Sequence, residues 1–118
     1  MLAATIALAA SACASAPPAP PSSLQAAQQA ITAAERLDAG HSAPGELGEA
    51  RSKLLEANAA VANKKMVSAD HLALESRASA ELATAKSASV KALAENAAIR
   101  TGNAAMADEL NRKVGESN

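Results

Sequence analysis

The side chains that could bind a metal ion or take part in catalysis are two histidines, His41 and His71, with Asp70 and Glu75 close to the second. Histidine and carboxylate side chains together are common zinc ligands. None of the spacings that place such ligands on one helix face or loop occurs: His-Glu-x-x-His, Cys-x-x-Cys and His-x-His are all missing. The chain also lacks a glycine-rich phosphate loop and a Gly-x-Ser-x-Gly nucleophile turn. We therefore expect solvated histidines, no metal or cofactor, and a protein that is not an enzyme.

A different kind of chemistry is indicated at Cys13, the single cysteine of the chain. It follows an uncharged apolar run over residues 1–12 that ends in Ala10-Ser11-Ala12. Small residues before a cysteine at the end of such a run resemble a bacterial lipobox, in which the cysteine becomes the lipidated N-terminus; Ala10 stands where leucine is usual. The alternative is an ordinary Ala-x-Ala cleavage site followed by an unmodified cysteine.

We expect Cys13 to be lipidated, because a lone cysteine cannot form an intramolecular disulfide and a free thiol is unsuited to an oxidising compartment. Residues 1–12 are too short to span a bilayer, which needs about 20 apolar residues, but they suit the apolar segment of a signal peptide. Residues 13–23 are rich in Ala, Ser and Pro, and their prolines favour polyproline II. At about 3.1 Å per residue, this disordered tether would hold the following domain roughly 25–30 Å from a membrane.

The composition of the chain predicts an all-α protein with a thin core. The sequence has 118 residues, 49% of them hydrophobic, and contains no Phe, Tyr or Trp. Alanine supplies much of the apolar content, and alanine is the strongest helix former while burying little surface. The net charge of −1 and the lack of aromatic rings argue against nucleic-acid binding, which uses basic surfaces and stacking platforms.

Hydrophobic periodicity predicts helical segments in a domain over residues 24–114. The first segment runs from about residue 22 to residue 39 and stops at Gly40. The second begins at Pro44, which suits the first helical turn, and ends at Lys64 and Lys65, since cations are favoured there. The predicted core consists of the larger apolar residues on these faces and on the third segment: Leu24, Ile31, Leu47, Leu54, Val61, Leu72 and Leu82.

The third segment begins near residues 66–68 and carries a stripe of small or β-branched side chains from residue 69 to residue 104. Gly102 is a predicted break, and residues 115–118 are expected to fray. The first two segments are each about half as long as the stripe, so its second half has no intramolecular partner. We expect an interface there for self-association or for a partner helix in coiled-coil fashion; the alternative is a solvated helix that frays. The candidate interface residues are Ala83, Val90, Leu93, Ala94 and Ala97.

The predicted fold is therefore all-α, with an antiparallel helical hairpin and a long third helix in a three-helix-bundle-like arrangement, preceded by the disordered tether.

Ala-Pro-Gly-Glu-Leu at residues 43–47 and Ala-Arg-Ser-Lys-Leu at residues 50–54 support a family assignment. Together with the alanine-rich positions around them, over residues 24–88, they resemble the domain of unknown function 4398. This resemblance implies a small bacterial envelope lipoprotein with no established catalytic residues.

These patterns together predict a membrane-anchored, periplasm-facing lipoprotein that acts as a structural or protein-interaction module of the bacterial envelope. The periplasmic face of the outer membrane is the expected location, because Ala14 rather than Asp follows the cysteine, as in lipoproteins sorted there; a soluble periplasmic protein is the alternative. Two other functions remain open: an accessory or assembly factor of an envelope machine or stress response, and an alanine-zipper fibre-like outer-membrane lipoprotein. The expected partners are the membrane, through the lipid anchor, and a second copy or another envelope protein.

Overall fold

A computed structural model describes residues 21–117 of the chain. Over this range every regular element is an α-helix: α1 (Pro21–Arg36), α2 (Ala39–Ser42), α3 (Pro44–Ala62) and α4 (Met66–Glu116). The predicted all-α class is confirmed for this part of the chain. The predicted signal segment, Cys13 and most of the predicted tether lie outside the described residues.

Helix α1 begins at Pro21, three residues before the predicted start of the domain. Residues 21–23 therefore belong to a helix and not to the predicted tether. Proline is tolerated here because the first turn of a helix leaves its backbone N–H groups without intrahelical partners, so the missing donor costs nothing. At the other end of the domain, α4 continues to Glu116, two residues beyond the predicted boundary.

The turn after α1 is made by Asp38 and not by Gly40, so the predicted glycine stop is wrong. Asp38 has a left-handed backbone with φ 57°, and no glycine of the described chain has a positive φ. Aspartate tolerates this conformation better than most residues because its short polar side chain can bond locally. Gly40 lies inside the short helix α2, and the Ser42 and Ala43 amides continue its hydrogen bonds to the Asp38 and Ala39 carbonyls.

The turn between α3 and α4 lies where it is predicted, but backbone geometry closes α3 rather than cations, since the last turn of α3 holds no basic residue. Pro44 occupies the first turn of α3, and α4 begins at Met66. Lys64 has a left-handed φ of 57°, its amide donates to the Val61 carbonyl at 2.9 Å, and the Lys65 amide donates to the Ala60 carbonyl at 2.9 Å. This pair of bonds is a Schellman motif, which closes the helix by satisfying its last carbonyls.

The core is thin, as the composition predicts, and is built mostly from alanine. Leu47 is 1% exposed and is the largest fully buried side chain among the described residues, while Ile31 and Leu54 are also buried. Helix α4 contributes one buried face, whose members lie three or four positions apart, to the contact with the other helices. We call this face the packing stripe; its members are Ala69, Ala73, Ser76, Ala80, Ala83 and Ser87.

Ser76 is the polar exception inside this core. Its side chain is fully buried, and its hydroxyl donates to the Ala50 carbonyl of α3 at 2.6 Å. The bond joins two helix backbones that only small side chains allow to approach closely. Ser76 therefore fixes the position of α4 along α3 without leaving a buried polar atom unpaired.

One predicted core residue is wrong, and three lie at the edge of the core. Leu82 is 50% exposed, because Ala80 and Ala83 take the inward positions and a residue between them points about 100° or more away at 3.6 residues per turn. The edge residues are only partly buried but pack against the core: Leu24, Val61 and Leu72.

Helix α4 divides into two parts at Ser87, which is the last buried residue of the described chain. We call α1, α2, α3 and residues 66–87 the packed region, and residues 88–116 the arm. The predicted break at Gly102 is wrong, since α4 runs through it without interruption. A glycine costs a helix about 1 kcal/mol relative to alanine, which is too little to stop a helix in an alanine-rich stretch.

Candidate interaction surface

The arm starts at a polar junction that closes one end of the packed region. Ser87 is 2% exposed and donates to the Ala83 carbonyl one turn earlier, at 2.7 Å. The Ser87 oxygen also lies 2.7 Å from that of Ser42, which is in turn 3.0 Å from the Asp38 carbonyl, so the two hydroxyl protons are shared among three hydrogen-bond contacts. The two hydroxyls connect α2 to α4 at the level where the arm leaves the packed region.

A shallow groove of about 250 Å³ lies just beyond this junction. Its walls come from the turn after α1 and from the first turns of the arm, and Leu37 and Val90 remain 41% and 51% exposed within it. The groove is the last place at which the arm meets the packed region. Its lining residues are Leu37, Asp38, His41, Ser42, Ser87, Val90, Lys91 and Ala94.

Ion pairs tie the three longer helices together at their surfaces. Arg51 of α3 lies 2.7 Å from Glu35 of α1, and Lys53 of α3 lies 2.7 Å from Glu75 of α4. A third pair joins Glu46 of α3 to Lys86 of α4. All three pairs are partly exposed, so each contributes little to stability, but together they fix which helix faces which.

Two of these pairs shift the ionisation of their members. The hydrogen bond from Lys86 holds the pKa of Glu46 below its ordinary value of 4.5. The hydrogen bond from Lys53, reinforced by its charge, likewise lowers the pKa of Glu75, and the same bond raises the pKa of Lys53 above 10.5. Both effects favour the charged pair, so these groups stabilise the α3–α4 contact at neutral pH.

The predicted interface lies on the arm except for one residue. Val90 and Leu93 are 51% and 67% exposed, and Ala94 and Ala97 are exposed as well. Ala83 is the exception: it is fully buried against the packed region and cannot meet a partner. It was misplaced because it shares the periodicity of the stripe, and periodicity does not show where the covering helices end. We call Val90, Ala94, Ala97, Thr101 and Ala104 the proximal face.

A second apolar face on the arm was missed by the sequence analysis. It consists of larger side chains than the proximal face, and each is between 58% and 66% exposed. At 3.6 residues per turn it lies on the side of α4 about 180° from Val90. The signal was present as apolar residues at spacings of seven and four, but the longer small-residue stripe concealed it. We call it the distal face; its members are Ile99, Met106, Leu110 and Val114.

Charges on the arm are partly satisfied within the helix. Glu109 pairs with Arg112 at 2.7 Å and with Lys113 at 3.5 Å. Glu95 has only a long contact of 3.9 Å with Lys91. Arg100 forms no ion pair or side-chain hydrogen bond with any other residue of the described chain.

The two histidines do not form a metal site. His41 lines the groove at the level of Ser87, whereas His71 lies on α4 sixteen positions earlier, roughly 24 Å away along the helix. Within residues 21–117, no three His, Cys, Asp or Glu side chains are grouped so that they could hold a metal ion.

No helix in the described range combines the length and the apolar content needed to cross a membrane. This includes α4, whose 51 residues are long enough but carry charges on every part of the helix.

Comparison with known proteins identifies one family. Residues 22–99 match the family model described as "Domain of unknown function (DUF4398)". The match covers nearly all of the packed region and the first part of the arm, residues 88–99. It ends at Ile99, the first residue of the distal face. Neither a curated protein nor a solved structure was found to match this chain.

Proposed function

The chain belongs to the DUF4398 family, and from that premise we propose that it is a membrane-anchored, non-enzymatic interaction module of the bacterial envelope. The observation that carries the proposal is the arm. Between residues 88 and 116 none of its side chains is buried, yet both its faces carry apolar residues. Contiguous apolar surface of this kind on a small protein marks an interaction site more often than it occurs by chance.

The packed region is proposed to act as a base that holds the arm. In this arrangement α1 and α3 form an antiparallel hairpin against the first part of the long helix α4. The α1–α3 contact supports the hairpin, since Glu35 near the end of α1 pairs with Arg51 in the first half of α3. The direction of α4 follows from its contacts with α3: Glu46 pairs with Lys86, whereas Lys53, later in α3, pairs with Glu75, earlier in α4. Such reversed pairing is what antiparallel neighbours produce.

The anchor is proposed to be a lipid group on Cys13. Cys13, the proline-rich segment, the packed region and the arm follow one another along the chain, so an anchor at Cys13 would leave the arm free to face outward. A cysteine bearing several acyl chains is held stably at a membrane, whereas a single chain binds only marginally. We place the anchored protein on the periplasmic face of the outer membrane.

Lipidation is tested by expressing the full chain with and without Cys13→Ser and measuring the intact mass of the mature protein. We expect acyl chains on a mature N-terminal Cys13 and co-sedimentation with outer membranes, both lost in Cys13→Ser. A mature chain that starts after Cys13 and carries no acyl group would instead establish a soluble periplasmic protein. Fractionation with inner membranes would contradict the proposed location alone.

The binding role of the proximal face is tested by photocrosslinking in native membranes. A photoreactive residue at Ala97 is compared with one at Ala59, an exposed position of α3 that serves as the matched control. We expect a specific crosslinked species from Ala97 that disappears when Val90→Glu and Leu93→Glu are introduced. Equal crosslinking from both positions, or crosslinks that survive the double substitution, would contradict an interaction through this face.

A further inference from the structure

From the distal face we infer that two copies of this chain associate through their arms as a parallel, in-register coiled coil. Ile99, Asn103, Met106 and Leu110 follow one another at spacings of four, three and four, which is the a/d pattern of a two-helix seam. Ile99 and Met106 take d positions, and Asn103 and Leu110 take a positions. This surface is distinct from the proximal face, and the inference deepens the proposed interaction role without depending on membrane anchoring.

Asn103, at the centre of this seam, favours a second copy of the same chain as the partner. It is exposed, and its amide forms no hydrogen bond to any other residue between 21 and 117. In a parallel, in-register pair each Asn103 faces the other, so the two amides can bond across the seam. Against a lipid surface or an apolar groove the amide would lose its water without gaining a partner, which is costly.

The charges beside the seam select the same arrangement. Glu95 takes a g position and Arg100 the following e position, and in a parallel pair each g residue lies next to the following e residue of the other helix. Arg100 has no partner among the described residues, and Glu95 has only the 3.9 Å contact with Lys91. The parallel dimer gives both residues a partner, twice by symmetry. In an antiparallel pair that stacks Ile99 of one chain on Leu110 of the other, Glu95 would instead lie next to Glu116. These two carboxylates repel each other, so the charges disfavour the antiparallel pair.

The packed regions do not prevent this association. The packing stripe and the distal face lie on different sides of α4, with their centres about 135° apart at 3.6 residues per turn. Two arms joined along their distal faces therefore carry their packed regions on the outside of the pair. The parallel direction also leaves both N-termini on the same side, as two anchors in one membrane require.

Disulfide trapping in the full chain tests the register directly. Cys13→Ser removes the native thiol, and Asn103→Cys then places one cysteine in the seam, while Ala105→Cys places one at an exposed position on the opposite side, outside both apolar faces, as the matched control. Under mild oxidation we expect a reducible dimer from Asn103→Cys and a monomer from Ala105→Cys. Absence of the Asn103→Cys dimer, or equal yields from both variants, would overturn the inference.

Charge exchange tests the same pair of residues by sedimentation equilibrium. Either Glu95→Arg or Arg100→Glu should weaken the dimer by roughly tenfold or more, since each replaces two attractions by two repulsions. The double variant should regain the original dissociation constant. Asp108→Arg, the same charge change on the opposite side of the arm, should leave it unaltered.

A protein that stays monomeric at every concentration, or a double variant no better than the single ones, would overturn the inference. The proposed function would survive that outcome if Ala97 still gave its specific crosslink in membranes. Conversely, an unlipidated protein that forms the trapped dimer would remove the anchoring proposal and keep this one.

Discussion

The two parts of α4, residues 66–87 and the arm, both carry small side chains at alternating spacings of three and four, but only the first part is covered by other helices. From Ala69 to Ser87 the stripe is buried, whereas from Val90 onward it is exposed. The cause is length: α1 and α3 have 16 and 19 residues against 51 in α4, or roughly 24 and 28 Å against 76 Å at 1.5 Å per residue. Periodicity thus determines which face of a helix can be buried, and the reach of its neighbours determines how much of that face is.

The largest expected difference between the two parts comes from introducing a charge. Leu47→Asp or Leu54→Asp buries a carboxylate with no partner, at a cost comparable with the whole stability of a small domain, about 5–15 kcal/mol. We expect these variants to lose most of their helical circular dichroism and their cooperative melting. Leu93→Asp, at a position 67% exposed, should melt like the parent chain. A Leu47→Asp variant with unchanged melting would contradict the core assignment.

A smaller effect should come from one substitution made at two equivalent positions of the stripe. Ala83 and Ala97 are two heptads apart on the same face, one fully buried and the other exposed. Ala83→Leu should destabilise the protein by about 1–3 kcal/mol, because a well-packed core cannot accept three more carbons without shifting. Ala97→Leu should change stability by less than about 0.5 kcal/mol. Denaturant unfolding measures both, and equal effects would remove the distinction between packed region and arm.

A third comparison uses two serines. Ser76→Ala deletes the buried hydrogen bond to the Ala50 carbonyl and should cost about 0.5–1.5 kcal/mol, part of which the better helix propensity of alanine offsets. Ser89→Ala, on the exposed arm, should be neutral or slightly stabilising. Urea unfolding of both variants provides the measurement. If Ser76→Ala proved as harmless as Ser89→Ala, the α3–α4 hydrogen bond would contribute nothing to holding α4.

The smallest expected effect is the dependence of stability on pH. The folded-state pKa values of Glu46 and Glu75 lie below 4.5. The contribution of these two carboxylates to the free energy of unfolding is therefore fully present above that value, and it is lost as the pH falls through the lowered pKa values. Melting temperature should therefore decline between about pH 5 and pH 3, and this decline should be shallower in the Glu46→Gln, Glu75→Gln double variant. Glu95→Gln on the arm should leave the dependence of melting temperature on pH as it is in the parent chain. If the double variant also kept that dependence, the two ion pairs would not be what stabilises the protein at neutral pH.

The features that the sequence predicts correctly depend on local chemistry. Pro44 marks the start of α3 because proline fits only the first turn, and Met66 marks the start of α4 because the Lys64 turn ends α3 by satisfying its carbonyls. Leu47 was recognisable as core from its place on the apolar face. These decisions involve residues within about one helical turn of each other, so no knowledge of the tertiary structure was needed.

The features that were missed depend on competition between residues or on distant partners. Asp38 and Gly40 both suit a left-handed turn, and the structure uses the aspartate because Ala39 is buried in the core while Gly40 stays exposed. Leu82 looked like core by its type, yet Ala80 and Ala83 occupy the inward positions. Ala83 could be separated from Val90 only by knowing where α1 and α2 end.

The continuity of α4 through Ser87 also has a mechanical consequence. No break in α4 separates the packed region from the arm, so any tilt of α4 within the base would swing the arm, roughly 44 Å long at 1.5 Å per residue, as a lever. A tilt of about 10° at Ser87 displaces the far end by roughly 7–8 Å over that length. A slight sliding of the Ser76 contact, or a change at the Ser42–Ser87 junction, would therefore be amplified at Leu110 and Val114. A distance measured within one chain, between a spin label at Ala59 of the packed region and another at the far end of the arm, would register rearrangements in the base that are too small to detect there.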